Sequence, residues 1–265
     1  MKLQEKKIYG LSIKEVLEKF LAFEGQTLIF FDTETLGLKP QNLDTQVTEV
    51  AAIAFDGTTF EQVGIFHEKV SLRKDAQAKM KVQDTEPPKK GSMKMRDIMK
   101  MTKYGERHAK FKGEQQVLQE FNGWLGTFEN PLLIAHNASF DMKYINQRGQ
   151  HYGIRMNRFR VLDSLKIAQL YFAPALQSLE KSGDEGITKM LGALTRNGRI
   201  NSNLGQLSTA LEVNVDNWHS AIADVQSLVG VLKGIVEFLK GHQDVDIRKF
   251  HTKAVVKDIG KRKKQ

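Results

Sequence analysis

Four consecutive apolar residues, Leu28-Ile29-Phe30-Phe31, run straight into Asp32-Thr33-Glu34. An apolar run of this length reads as a buried strand, and period-two alternation puts Asp32 and Glu34 on one face at its end. Strand interiors disfavour Asp, and neighbouring carboxylates repel and raise each other's pKa. A bound cation removes that penalty. The fold must therefore bury this strand and bring its acidic end to a place where charge is useful. An Asp-x-Glu pair alone says little, since about one is expected by chance in this composition. Its position says more.

The rest of the chain supplies partners for such a strand. Residues 12–23 place Ile13, Val16, Leu17, Phe20 and Leu21 at helical spacing behind Ser12 as an N-cap, and Gly25 stops that helix. Residues 47–55 form a second strand, and Asp56-Gly57 signals a tight turn into a third within Phe60–Val70. From about Arg73 to Lys112 the pattern turns polar, rich in Lys and Met and broken by Pro87-Pro88 and Gly91. That stretch reads as an insertion with a short helix near Arg96–Met101. Regular structure resumes with a helix over Glu114–Leu125, a buried strand at Pro131–Ala135, a helix over Phe140–Arg148 and a strand at Phe159–Leu162. Asp163-Ser164 caps the helix that follows. The last third is mainly helical, with short helices among the glycines of 173–203 and a long helix from about Ser220 to Leu239. Strands first antiparallel, then alternating with helices, make an α/β sheet of mixed direction. The expected organisation is a helical extension over 1–26, a domain over 27–245 interrupted by the insertion at about 73–112, and a basic tail over 246–265.

Composition narrows the chemistry. The chain has no cysteine, which excludes disulfides and thiolate zinc sites. No apolar stretch approaches the ~18–20 residues that cross a bilayer. The charged N-terminus leads into no apolar signal core, so a cytoplasmic protein without membrane contact is expected. The net charge of +9 is concentrated: Arg73 to Glu114 carries 13 Lys/Arg against 6 Asp/Glu, and Arg248 to the end 8 against 1. Two basic zones suit a protein that follows a phosphate backbone, though solvated charge on surface segments gives the same count.

Two further segments carry acids at element ends. In Ile134-Ala135-His136-Asn137-Ala138-Ser139-Phe140-Asp141 a buried strand opens into a helix. Asp141 sits in its first turn, where helix electrostatics alone would favour it. In His219-Ser220-Ala221-Ile222-Ala223-Asp224 the last long helix begins. Five residues apart on one helix, His219 and Asp224 would project roughly 140° apart, so both reach one site only if His219 lies in the lead-in. Each segment has a bland reading by itself. Their fixed order, at element ends facing one side of a sheet, has none.

Taken together, FDTETLGL (Phe31–Leu38), HNASFD (His136–Asp141) and HSAIAD (His219–Asp224) resemble the motifs of the DEDDh family of 3′→5′ exonucleases, in the ribonuclease-H-like superfamily. The spacing covers most of 27–240, and Ser220 stands where the family's tyrosine branch has its tyrosine, which leaves the histidine branch. The resemblance implies a ribonuclease-H-like mixed five-stranded sheet flanked by helices. It implies metal-dependent hydrolysis from the 3′ end with release of nucleoside 5′-monophosphates. Asp32, Glu34 and Asp224 would hold one divalent ion, Asp32 would bridge to a second, and Asp141 would reach the site through water. His219 would be the general base. Carboxylates suit Mg²⁺ or Mn²⁺, and a histidine pKa near ~6.5 suits proton transfer at neutral pH.

The same resemblance implies that Thr35 and Leu36 meet the terminal nucleotide and that Asn137 positions the strand. Leu36 would be an apolar wedge against the last base, although Leu38 fits that role equally. The N-terminal helix, the insertion and 173–203 depart from the family's minimal core and bear on substrate choice. The catalytic residues do not separate DNA from RNA, which rests on the 2′-OH. Single-stranded DNA is the expected substrate and an exoribonuclease the alternative. A catalytically dead binding module and a basic packaging protein are the readings from other classes. The insertion is also a candidate clamp or arm for a protein partner.

Overall fold

The computed structural model describes residues 8–37, 39–42, 45–74, 110–214 and 220–250. Its main sheet has five strands, β1 (Thr27–Leu36), β2 (Gln46–Asp56), β3 (Gln62–Lys69), β4 (Pro131–Ala135) and β5 (Arg160–Asp163), in the order β3-β2-β1-β4-β5. The central strand β1 pairs antiparallel with β2 and parallel with β4, and β5 extends the parallel side. The described helices are α1 (Ile13–Phe20), α2 (Glu114–Leu125), α3 (Ala138–His151), α4 (Ser164–Ile167), α5 (Ala173–Leu179), α6 (Glu185–Leu194), α7 (Leu204–Ala210) and α8 (Ala221–Gly241). A π turn, Ala168–Phe172, joins α4 to α5. This is the mixed α/β sheet expected. None of these helices is long and apolar enough to cross a membrane.

Alternation along β1 decides the layers. Leu28 and Phe30 face a core shared with α1 and α8, while Ile29 and Phe31 face one shared with α2 and α3. Asp32 and Glu34 continue the first set, so they emerge on the α8 side. Thr33 continues the second and faces α3. Helix α1 begins where Ser12 predicts it: the Ser12 hydroxyl accepts from the Glu15 N–H, and the Glu15 carboxylate accepts from the Ser12 N–H. This reciprocal cap satisfies two of the amides that a helix start leaves open.

The structure adds detail at three places. Strand β1 does not stop at Asp32, because β2 stays paired with it, Glu34 opposite Glu49 and Leu36 opposite Gln46, across a bulge at Glu34/Thr35. Asp56-Gly57 opens the expected tight turn into β3. The Asp56 N–H donates to the Glu61 carbonyl, Asp56 Oδ1 accepts from the amides of Thr58 and Thr59, and the positive φ falls on Phe60, at 61°. Gly57 is there for room, since a Cβ would lie 2.1 Å from the Phe23 carbonyl oxygen. Within 173–203, a two-stranded ribbon of β6 (Thr195–Arg196) and β7 (Arg199–Ile200) follows α6.

The ends of the insertion are fastened together. Val70 bridges to Lys112, the Ser71 N–H donates to the Lys112 carbonyl at 2.8 Å, and Lys112 Nζ reaches Glu68 and Glu120 at 2.6 and 2.7 Å. Residues 75–109, including the expected helix near Arg96–Met101, lie outside the described residues, as does 251–265 of the tail.

Candidate active site

Two elements deliver the acids. The end of β1 presents Asp32 and Glu34, and the first turn of α8 presents Asp224. That turn is set by Ser220, the N-cap, whose hydroxyl accepts from the Ala223 N–H. Asp, next to the positive end of a helix dipole, is at home there. Carboxylate oxygens of Asp32, Glu34 and Asp224 converge to within 4.8 Å of one another. Two oxygens bonded to one magnesium ion at ~2.1 Å lie at most ~4.2 Å apart, so a slight contraction would let one ion take all three. Hard oxygen donors alone, half-buried and convergent, fit a divalent cation of the Mg²⁺ or Mn²⁺ kind.

The electrostatics fit the same ligand. Burial pushes Asp32 well above the usual carboxylate range even though part of its side chain meets solvent. The charges of Asp141, Glu34, Asp224 and Glu49 push it further. Glu34 rises to about 7, mainly through burial, then through Asp224, Glu49 and Asp141, while Lys69 pulls it the other way. Without a cation, such a cluster stays partly protonated near neutral pH.

Asp141 stands beside this trio rather than in it. It is 3% exposed, and its Oδ1 accepts from the Thr33 amide at 3.2 Å and the Thr33 hydroxyl at 2.7 Å. Burial lifts its pKa to about 7 against those hydrogen bonds. Its place on the Thr33 side of β1 explains why its oxygen does not converge with the others. His219 lies outside the described residues, directly before the helix cap Ser220.

Of the residues expected to meet substrate, Asn137 is exposed and left-handed, at φ 67° and ψ 45°, as the N-cap residue of α3. Thr35 is half-buried and donates to the Gly37 carbonyl at 3.3 Å. Leu36 is packed, with 2% exposure. Leu38 lies outside the described residues.

Sequence reading missed several residues that support the site. Thr33 holds Asp141. Tyr144 donates from its hydroxyl to the Gly37 carbonyl at 2.6 Å and pins the exit of β1 to α3. Asp163, read only as a helix cap, also accepts from the Asn137 N–H at 3.0 Å, and Ser164 pairs with His136 Nδ1 at 2.9 Å. Burial lowers the His136 pKa to about 4. Glu49 lies cross-strand from Glu34, 1% exposed, accepting at Oε1 from His67 Nε2 at 2.7 Å. Its signal was available: in Val47-Thr48-Glu49-Val50-Ala51, Glu49 falls on the face shared with Asp32.

A mixed sheet with convergent carboxylates at the end of its central strand defines a nuclease-like class, and the comparisons carry it further. Residues 29–232 match the model of the exonuclease family RNase T, and the chain belongs to that family. The DNA polymerase III PolC-type of Oceanobacillus iheyensis is 30% identical over 123 residues, 46% of this chain and 7% of that protein. The chain thus spans a small part of the curated relatives it matches. Escherichia coli exonuclease I, solved with a dT13 oligonucleotide, aligns with a TM-score of 0.56 at 17% identity, covering 82% of this chain and 42% of that one. Cell-death related nuclease 4 aligns at 0.51 and 14% identity, covering 82% and 66%. These likenesses show the fold.

Proposed function

We propose that the chain is a metal-dependent 3′→5′ exonuclease that hydrolyses phosphodiester bonds from the 3′ end of single-stranded DNA and releases nucleoside 5′-monophosphates. The observation that carries this reading is the convergence of Asp32, Glu34 and Asp224 within 4.8 Å at the end of β1. The DNA polymerase relatives and the oligonucleotide bound to exonuclease I favour DNA over RNA as the substrate.

In this reading Asp32, Glu34 and Asp224 would hold the divalent ions, with Asp141 supporting the site from the Thr33 side. When bound, Mg²⁺ or Mn²⁺ would polarise the phosphate and stabilise charge on both the attacking and leaving oxygens of an in-line displacement. Thr33 keeps Asp141 ionisable but fixed, since its two donors favour the charged carboxylate while burial opposes it. His219 takes the proton of the attacking water, a task suited to imidazole at neutral pH. Asn137, exposed at the mouth of α3, and Thr35 orient the terminal nucleotide.

The test is a 5′-labelled single-stranded DNA and its RNA counterpart, incubated with Mg²⁺ or with EDTA, with Asp32→Ala alongside. A ladder shortening from the 3′ end, dependent on metal and absent in the variant, is expected to run faster on DNA. Faster shortening of RNA would replace the substrate with the exoribonuclease alternative. Intact substrate in every lane, with binding retained in EDTA, would make the chain a binding module.

A further inference from the structure

Among the described residues two large hydrophobic side chains stand exposed, Val63 at 53% and Ile65 at 55%, and both lie on the edge strand β3. Strand register shows what adjoins them. On the face that carries the acids, three rows cross the sheet: Glu34–Glu49–Lys69, Asp32–Ala51–His67 and Phe30–Ile53–Ile65. In the third row Phe30 and Ile53 are buried in the core under α1 and α8, but the cover ends before Ile65. Val63 sits at the irregularity of the β2–β3 pairing just beyond. In the first two rows β3 supplies Lys69 and His67, both drawn to Glu49 at 3.9 and 2.7 Å, with 22% and 35% of their side chains still in solvent. A strip of apolar, then polar, then cationic side chains therefore leads along β3. Strands lie about 4.8 Å apart and alternate residues about 7 Å apart along a strand, so the strip runs roughly 10 Å from the acids of β1.

We propose that this face of β3 is the track on which the substrate strand leaves the carboxylate site, a base resting on Ile65 and Val63 and a phosphate passing over His67 and Lys69. The inference rests on the exonuclease reading above and extends it from the terminal bond to the body of the strand. Its chemistry is that of single-stranded nucleic-acid recognition, where cations follow the backbone and bases bury an apolar face, here against aliphatic side chains by the hydrophobic effect. Its continuity with the acids is set by the sheet register and needs no rearrangement. An exposed edge strand also invites pairing with another copy of the chain, and the test separates that occupant.

The experiment measures binding of a labelled single-stranded DNA of about 15 nucleotides in EDTA, where nothing is cleaved, to wild type and to Val63→Ser/Ile65→Ser. Both positions are more than half exposed and neither serine adds charge, so only a small fall in melting temperature is expected, the chain staying folded at the assay temperature. The dissociation constant should rise about fivefold, the effect of losing roughly 40 Å² of buried apolar contact. With Mg²⁺, kcat/KM on that strand should fall relative to kcat/KM on a dinucleotide. Lys69→Gln should make the salt dependence of binding shallower by about one unit of slope. An unchanged dissociation constant would overturn the track. So would a dimer in sedimentation that the double variant splits while its affinity per chain stays the same. Wild-type protein that binds the strand but never shortens it sinks the exonuclease reading alone, and wild type that does not bind it sinks the track.

Discussion

Among the described residues, Glu114 and the Asp32 cluster are carboxylates on opposite faces of the sheet that are treated in opposite ways. Under α2 and α3, Glu114 is 3% exposed and surrounded by donors: the Val47 amide, Arg148 through Nε and a terminal nitrogen at 2.9 and 2.8 Å, Arg73 at 3.3 Å and the Tyr152 hydroxyl at 2.7 Å. Arg148, itself 1% exposed, spends its charge on that one acid. At the mouth of α8, the groups that act most strongly on Asp32 are other acids. A buried charge with its counter-charge built in is architecture. A buried cluster in which acids raise one another's pKa, with Lys69 acting against them at Glu34, is a candidate cation site.

The largest effect should separate the two regions by what they damage. Asp32→Asn is expected to lower the metal-dependent rate on the order of 10³-fold, several kcal/mol of transition-state stabilisation. It should leave the metal-free melting temperature equal or higher, because it removes one of several mutually repelling charges. Arg148→Ala should do the reverse. Stranding Glu114 without its main partner is expected to cost about 3–5 kcal/mol of unfolding free energy, read from denaturant curves, with activity per folded molecule retained. If Asp32→Asn melts well below wild type, the cluster is structural and the contrast collapses.

The second effect is on pH. Glu34 and Asp141 titrate near 7 in the folded chain, against 4.5 and 3.8 ordinarily. Between those values the folded state binds more protons than the unfolded one, so stability falls as pH rises. Their contribution is complete below the unfolded values and gone once pH passes about 7. In EDTA the melting temperature should therefore decline between about pH 5 and 7.5, and saturating Mg²⁺ should flatten the decline by supplying the missing charge. A decline of equal size with and without Mg²⁺ would show that no cation is held by these acids.

How much of this could be read in the chain follows from the range of each interaction. Asp32 and Glu34 were legible because a strand's period is local, and the apolar run before them fixes which face they take. Asp141 was legible as the acid of a first helical turn, but its anchor Thr33 lies 108 residues away and nothing near either marks the contact. Glu49 was passed over because its neighbours are apolar enough to make residues 47–55 a plain strand. The Glu114–Arg148 pair, 34 residues apart on two helices, looks in sequence like ordinary helix-surface charge. Leu36 shows the converse: the motif marks the position, while nothing in its local pattern announces its 2% exposure. Patterns report which face a side chain takes. Partners across the fold they do not report.

The smallest expected effect is the sharpest check on the contrast. Tyr152→Phe removes a hydroxyl that donates to Glu114 Oε2 and accepts from Arg73 at 3.0 Å and Arg148 at 3.3 Å, and it leaves both arginines on that oxygen at 3.3 and 2.8 Å. A compensated carboxylate should tolerate this at a cost of about 1–2 kcal/mol, since the arginines keep Glu114 as their partner when the hydroxyl goes. The ring stays, and with it the Arg148 guanidinium 5.5 Å from its centroid. Equilibrium unfolding in urea measures the difference directly, and the double variant with Arg148→Ala tells which group carries the load. If the two losses simply add, the donors act on Glu114 independently. If Tyr152→Phe becomes costly only without Arg148, the hydroxyl is a reserve for the same charge, and Glu114 is compensated more than once over.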